Sequence, residues 1–144
     1  MSSKWKPDDS VIEGKPGTAR IRAALKKHRV NVKGDRVITS RDPGMDQLRY
    51  DLQRRDMPPG IQSWQIPIVL ENCPVFFFLT VAEAGAVVPL HAHKRDLFRV
   101  VVSGSITTNG IELKPGDWMF VPAGVPYGYS AALNPGAIIY HCYG

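Results

Sequence analysis

Residues 85–127 read GAVVPLHAHKRDLFRVVVSGSITTNGIELKPGDWMFVPAGVPY, and this stretch decides the fold. Short apolar runs alternate within it with turn residues, which is the pattern of an all-β sandwich or barrel. Near its start His91 and His93 are two residues apart, and side chains at that spacing on a strand point to the same face. The two imidazoles are therefore expected to face one side of a sheet, as the beginning of a metal site.

The same alternation of strands and turns extends from about residue 46 to the end of the chain. The Asn109-Gly110 pair is a strong signal for a two-residue hairpin turn. The segment Pro74–Ala82 is apolar on both faces and is expected to be a central strand. The other predicted strands are Gln47–Leu52, Trp64–Leu70, Leu97–Val102, Ser105–Thr108, Ile111–Leu113, Trp118–Val121, Tyr127–Ala132 and Ala137–Tyr143.

The N-terminal part has a different character, and we predict a tail, a helix and an arm over residues 1–45 before a barrel over residues 46–144. Met1–Pro16 is expected to be a loose tail. Apolar residues recur with helical spacing in Thr18–Arg29, which predicts an amphipathic helix, and Arg36–Thr39 is predicted as a short strand. Residues 1–60 hold 14 Lys and Arg against 8 Asp and Glu, so the net charge of +5 comes from this part.

Composition limits the class of protein. A chain of 144 residues with 44% hydrophobic residues is expected to form one domain with a single core. Two cysteines, Cys73 and Cys142, and no export signal favour a cytoplasmic protein with reduced thiols. No apolar run is long enough for a membrane helix. The basic N-terminal part lacks a recognisable DNA- or RNA-binding motif, so a nucleic-acid partner is not expected.

The glycine and proline framework around the two histidines carries a family resemblance. Gly85, His91, His93 and Gly104 have the spacing of the first cupin motif, G-x5-H-x-H-x3,4-E-x6-G. Gly116, Pro122 and Gly124 have the spacing of the second, G-x5-P-x-G-x2-H-x3-N. The sequence therefore resembles the cupin superfamily, which implies an all-β fold: a cupin double-stranded β-helix, or jelly-roll barrel, here with an N-terminal extension that contains one short helix.

The resemblance also implies a metal site, with two departures. In metal-binding cupins two histidines and a glutamate of the first motif and a histidine of the second hold one ion; here Leu97 and Tyr127 stand at the last two positions. The expected cofactor is one divalent transition metal, iron, manganese, nickel or zinc, held by His91 and His93. His141 on the last strand is the candidate for a further ligand, against the alternative that it lies on the barrel exterior.

Two further residues are candidate catalytic groups. Arg99 shares strand parity with Leu97, so its guanidinium is expected to face the cavity, where a buried positive charge needs an anion. This suggests a small, acidic organic ligand. Alternatively, Arg99 lies near the barrel mouth or pairs with Glu83 or Asp96. Tyr127 is a candidate hydrogen-bond donor or general acid, against a packing role.

Three classes of function remain open from the sequence. The first is a metal-dependent dioxygenase, isomerase or lyase acting on a small organic acid or polyol. The second is a metal-free epimerase or isomerase in which a cavity histidine is the base, a role for which the sequence names no orienting carboxylate. The third is a non-catalytic ligand-binding or sensor module. The family resemblance further implies a homodimer.

Overall fold

Two antiparallel sheets form the body of the protein. A computed structural model describes residues 5–32, 36–70 and 75–144. Within these ranges the strands are β1 (Ile61–Gln65), β2 (Phe76–Ala82), β3 (Val87–His91), β4 (Leu97–Gly104), β5 (Ile106–Thr108), β6 (Ile111–Leu113), β7 (Trp118–Val121), β8 (Tyr127–Ala131) and β9 (Ala137–Tyr143). Their order is β1-β2-β9-β4-β7 in one sheet and β3-β8-β5-β6 in the other. This arrangement confirms the predicted all-β jelly roll.

The two sheets enclose one core because their strands alternate between inward and outward side chains. In β2 every second residue from Phe76 to Ala82 is buried, and β9 repeats the pattern from Ala137 to Tyr143. This is the two-residue period of a strand with one face on a core. β2 pairs with β1 on one side and β9 on the other, so the prediction of a central strand is confirmed.

Glycines allow the tight turns that the motif spacing predicted. Asn109 and Gly110 both have positive φ, 50° and 73°, as a two-residue turn between β5 and β6 requires. Gly104 has φ of 70°, and a Cβ there would lie 1.9 Å from the carbonyl oxygen of Gly136. The two strand ends can approach this closely only because position 104 has no side chain.

Two α-helices precede the barrel. The first, α1 (Gly14–Lys27), covers most of the predicted helix Thr18–Arg29 and begins four residues earlier. The second, α2 (Met45–Leu52), replaces the strand predicted at Gln47–Leu52, and that prediction was wrong. Met45, Leu48 and Leu52 are buried, and their spacing of three and four residues puts them on one helical face.

Three other predictions need correction. Arg36–Thr39 forms no strand. The strand predicted at Trp64–Leu70 lies instead at Ile61–Gln65 and ends before Pro67, whose missing N–H cannot join a strand ladder. The predicted loose tail Met1–Pro16 is packed from Trp5 onward: it contains a short 3₁₀ helix, Asp9–Ile12, and Ile12 is fully buried.

The described helices bear on the membrane prediction. Within residues 5–32, 36–70 and 75–144, no helix is long and apolar enough to cross a membrane.

Candidate functional site

The polar residues of the barrel interior gather at one end of the two sheets. His91 ends β3 and is the cross-strand neighbour of Tyr127, which begins β8. In the other sheet Arg99, near the start of β4, is the neighbour of His141, near the end of β9. All four residues are buried, at 4–9% exposure. The strand pattern thus brings side chains from both sheets to the same interior region.

The two motif histidines direct one nitrogen each at the other. His91 Nε2 and His93 Nε2 lie 3.2 Å apart. His91 Nδ1 is 2.7 Å from the carbonyl oxygen of Pro89, and His93 Nδ1 is 2.8 Å from Oδ1 of Asp9. Each Nδ1 therefore donates a proton to an oxygen, which leaves the Nε2 atom of a neutral ring with a free lone pair. Two such lone pairs at this distance repel unless a proton or a cation lies between them.

The electrostatics of the site keep His91 neutral. Burial first, and then the neighbouring His93 and Arg99, lower the pKa of His91 to about 4 against the opposing effect of the Pro89 carbonyl. His91 is therefore not the source of a shared proton between the rings at neutral pH. The alternative is a metal ion, for which neutral imidazole nitrogen is a common ligand.

Two phenols complete this side of the site. The hydroxyl oxygens of Tyr127 and Tyr143 each lie 3.4 Å from His93 Nε2. Burial raises the pKa of Tyr143, so this phenol keeps its proton at neutral pH. The sequence analysis singled out Tyr127 but missed Tyr143, although Tyr143 has the same parity on β9 as His141 and could have been found from it.

Arg99 is a buried cation that has no anionic partner in the part of the chain that the structure describes. Its Nε and Nη1 atoms have no hydrogen-bond partner among the described residues, and Nη2 makes only a 3.5 Å contact with Tyr127. Instead, the guanidinium lies 4.7 Å from the ring centre of Tyr129 and 5.5 Å from that of Tyr127. Burial lowers the pKa of Arg99, but the surrounding tyrosines more than offset this, so the group stays charged.

His141 lies beside Arg99 in the interior and away from the barrel exterior. Its ring stacks on Phe78 at 5.3 Å, and its Nδ1 atom has no described partner. Burial and the charges of Arg99 and Arg54 lower its pKa well below the ordinary value, so the ring is neutral. Among the described residues no three His, Cys, Asp or Glu side chains converge on one point, so His141 does not form a three-residue cluster with His91 and His93.

The two acids named in the sequence analysis lie outside this site, and so does the fourth histidine of the chain, His28. The Asp96 carboxylate is exposed and accepts a hydrogen bond from the Ala123 N–H at 2.9 Å. Glu83 is exposed. His28 ends α1 and contacts Asp51. Cys73 lies outside the described residues.

The space between these side chains is small. The interior cavity has a volume of about 20 Å³, enough for one water molecule or a single ion. Trp5, Pro7 and Met57 form part of its lining, and they come from segments outside the strands. A separate cleft of about 400 Å³ lies beyond Trp5 and Pro7 and is lined by Lys6, His91 and Lys94, among others. His91 borders both spaces.

Comparison with solved structures identifies the fold. KdgF from a Halomonas species is 26% identical, with a TM-score of 0.52 over 62% of this chain and 83% of that chain. An RmlC-like cupin from Shewanella frigidimarina is 25% identical, with a TM-score of 0.52 over 61% and 78%. This chain belongs to the cupin superfamily. No family model and no curated protein matches the sequence.

A third likeness concerns the fold alone. The polyketide cyclase RemF from Streptomyces resistomycificus has a TM-score of 0.56 over 77% of this cupin and 79% of its own chain, at 17% identity. These neighbours support the cupin fold, and they do not specify a ligand or a reaction for this chain.

The N-terminal segment of this cupin reaches into the site, which the sequence analysis missed. Besides the contact between Asp9 and His93, the Trp5 ring packs edge-on against the His91 ring at 4.9 Å. Arg54, which is also buried, donates from Nη2 to Asp56 Oδ2 and to the Asp8 carbonyl, both at 3.1 Å. No local pattern in residues 5–12 indicates that they cover the mouth of the barrel.

Proposed function

We propose that this cupin is a metal-dependent enzyme of the dioxygenase, isomerase or lyase type that binds a single transition metal and a small organic anion inside the barrel. The interior cavity of about 20 Å³ has room for the metal, so the side chains around it must move apart to admit the carboxylate of the anion. One observation carries the metal part of the proposal: the free lone pairs of His91 and His93 point at each other across 3.2 Å. The anion part rests on Nε and Nη1 of the Arg99 guanidinium, which have no hydrogen-bond partner among the described residues.

The distances around His93 fit a metal ion. Ligands bound tetrahedrally at about 2.0–2.1 Å lie about 3.3 Å from one another. The distances from His93 Nε2 to His91 Nε2, Tyr127 Oη and Tyr143 Oη are 3.2, 3.4 and 3.4 Å. His91 and His93 would be the firm ligands, because a neutral phenol binds weakly. Iron, manganese, nickel or zinc suits such imidazole ligands, and when bound it would act as a Lewis acid on a substrate oxygen.

The residues beside this pair are suited to hold a carboxylate. The planar guanidinium of Arg99 matches the two oxygens of a carboxylate, which it can bind along an edge formed by Nη2 with either Nε or Nη1. Among the described residues Nε and Nη1 have no partner, and Nη2 has only the 3.5 Å contact with Tyr127. The neutral ring of His141, its cross-strand neighbour, has an unpartnered Nδ1 that can donate to the same group. Tyr127 contacts both Arg99 and His93, so its hydroxyl is placed to pass a proton to a bound substrate.

Metal analysis of the purified protein tests this proposal. We expect close to one equivalent of iron, manganese, nickel or zinc, and we expect its loss in a His91→Ala/His93→Ala variant. His28→Ala is the matched control, because His28 caps the C-terminal end of α1, outside the site, and contacts Asp51. Absence of a stoichiometric metal after growth and dialysis against each of the four ions would remove the metal-dependent function.

A metal-free catalyst is the second candidate, and one contact favours it. The carboxylate of Asp9 accepts from His93 Nδ1, and the Tyr127 hydroxyl lies near Nε2 of the same ring. A carboxylate, a histidine base and a phenol acid in this order are the parts of an acid–base epimerase or isomerase. In this case the protein would contain no metal, and anion binding would still require Arg99.

We also propose that the protein is a homodimer that pairs through the outer face of the five-stranded sheet. Within the strands, the outward positions of β2, β4, β7 and β9 carry no charged residue. Trp118 and Phe120 are 61% and 54% exposed, and Phe98 and Tyr140 are 41% and 43% exposed. The cross-strand register makes Phe98 the neighbour of Phe120, and Val100 lies between Trp118 and Tyr140.

The area of this apolar face fits a second copy of the same chain. Since a large aromatic residue buries 150–250 Å², the four exposed aromatics and their aliphatic neighbours offer roughly 500–600 Å². Two copies related by a two-fold axis would bury about 1,000–1,200 Å² in all, which reaches the roughly 1,000 Å² expected of a biological interface and is typical of a weak dimer.

A further inference from the structure

We infer that Asp9 is the positioning residue of His93, brought to the site by the N-terminal segment, so that the metal site is complete only while this segment is docked. The inference deepens the proposed metal-dependent function and rests on it. The glutamate position of the first cupin motif, on β4, is occupied in this chain by Leu97, which has no carboxylate. The carboxylate that contacts a candidate ligand is instead Asp9, 84 residues away in the sequence.

The chain around Asp9 is held firmly enough to fix this contact. Asp8 caps the short 3₁₀ helix, because its Oδ1 accepts from the N–H of Ser10 at 3.0 Å. The buried Arg54 donates to the carbonyl oxygen of Asp8, and Arg95 donates to that of Ile12 at 3.1 Å. Asp9 therefore sits between two anchored points of the backbone, and its carboxylate is only partly exposed, at 19%.

The two histidines differ in what orients them. His91 donates to the Pro89 carbonyl, two residues away on the same strand, so its ring orientation is a local property of β3. His93 lies beyond the end of β3 and depends on Asp9. An acceptor on Nδ1 fixes the tautomer, keeps the Nε2 lone pair free for a metal and makes the ring a stronger ligand.

A thermodynamic consequence follows from this dependence. If the docked segment strengthens metal binding by some factor, the bound metal must favour docking of the segment by the same factor. The segment also carries Trp5, which packs on His91 and lines the interior cavity. Binding of the metal and closure of the barrel mouth would then be coupled through Asp9.

Nitrogen NMR of the metal-free protein tests the role of Asp9 without any metal. In ¹⁵N-labelled wild-type protein at about pH 8, where an ordinary histidine is neutral, we expect the His93 proton on Nδ1. Asp9→Ala should move it wholly or partly to Nε2, and Asp9→Asn should restore part of the Nδ1 population because the amide oxygen still accepts. Asp8→Asn is the control: it removes the same charge one residue away and keeps the helix cap. An unchanged His93 tautomer in Asp9→Ala would overturn the inference.

Titration with Co²⁺, followed by its visible absorption, tests the consequence for metal binding. Loss of such an outer acceptor typically weakens metal affinity about 10- to 100-fold, and we expect this for Asp9→Ala, with Asp8→Asn close to wild type. Equal cobalt affinity in Asp9→Ala and wild type would also overturn the inference. If wild type binds no cobalt, the metal-dependent function fails, and the NMR result still decides whether Asp9 positions His93.

Discussion

Arg99 and Arg54 are two buried arginines whose removal should change stability in opposite directions. Arg54 has a carboxylate partner, Asp56, and donates to a backbone carbonyl. Arg99 has two nitrogens without a described partner and no ion pair among the described residues. Replacing each by Met keeps an apolar side chain of similar length and removes the charge. The pair of variants therefore separates a satisfied buried charge from an unsatisfied one.

The size of the change in the free energy of unfolding follows from the contacts of each arginine. Each unsatisfied buried donor costs about 1–3 kcal/mol, so the two free nitrogens of Arg99 cost about 2–6 kcal/mol. The contacts of the guanidinium with the ring faces of Tyr129 and Tyr127 stabilise the fold by about 1–3 kcal/mol in total. Arg99→Met should thus raise the free energy of unfolding by about 1–3 kcal/mol. Arg54→Met should lower it by about 2–3 kcal/mol, a moderate loss because water reaches the Asp56 side chain, which is 28% exposed.

Urea denaturation in a buffer free of small carboxylates measures both effects. Malonate or another small carboxylate at about 100 times its dissociation constant should stabilise wild type by about 2.7 kcal/mol and leave Arg99→Met unchanged. If the free energy of unfolding of Arg99→Met is lower than that of wild type by 2 kcal/mol or more without a carboxylate, the guanidinium stabilises the fold. The reasoning that assigns it to an anion is then refuted.

Three further predictions concern pH, the turns and the dimer. Because the pKa of His91 falls from 6.5 in the unfolded chain to about 4 in the fold, the unfolded chain binds more protons between these values. Through His91 the free energy of unfolding of the metal-free protein should therefore drop by about 1–2 kcal/mol from pH 7 to pH 5. The pKa of the buried His141 is also lowered and adds to the same slope, so His91→Asn should reduce the slope by the His91 part only. Gly104→Ala should cost more than about 3 kcal/mol by thermal melting, against about 1 kcal/mol for Gly110→Ala, since both have positive φ but only the first Cβ meets backbone atoms. Trp118→Lys should give a monomer by light scattering, and a wild-type monomer would contradict the proposed interface.

Local patterns were sufficient for the barrel strands. The strands Trp118–Val121 and Ala137–Tyr143 have the predicted bounds. Both signals that define them, the alternation of side chains and the flanking glycine or proline turns, depend only on neighbouring residues in the sequence. The helix α2 was missed because its interpretation began at Gln47. Only when Met45 is included do the buried residues show the helical spacing that distinguishes the helix from a strand.

The candidate site was predictable only in part, for a different reason. Parity along β4 and β9 is a local property, and it relates Arg99 to Leu97 and Tyr143 to His141. The contact between Asp9 and His93 spans 84 residues. Residues 5–12 have neither strand alternation nor helical periodicity, so nothing in their sequence indicates which surface they cover. The carboxylate of Asp9 could therefore not be assigned to the site from the sequence.

The charges of the interior predict cooperation between the metal and the anion. Asp56 balances Arg54, and Asp9 faces His93, while no acid among the described residues pairs with Arg99. The charge of Arg99 already lowers the pKa of His91, so it should also disfavour a metal cation at the same ring. A carboxylate on Arg99 removes this repulsion, and each ligand should then strengthen the binding of the other by the same factor. We expect Co²⁺ to bind more tightly in the presence of malonate in wild type, after correction for malonate complexes in solution. Arg99→Met should bind Co²⁺ at least as tightly without malonate and show no increase with it. An increase of equal size in Arg99→Met would show that the anion does not act through Arg99.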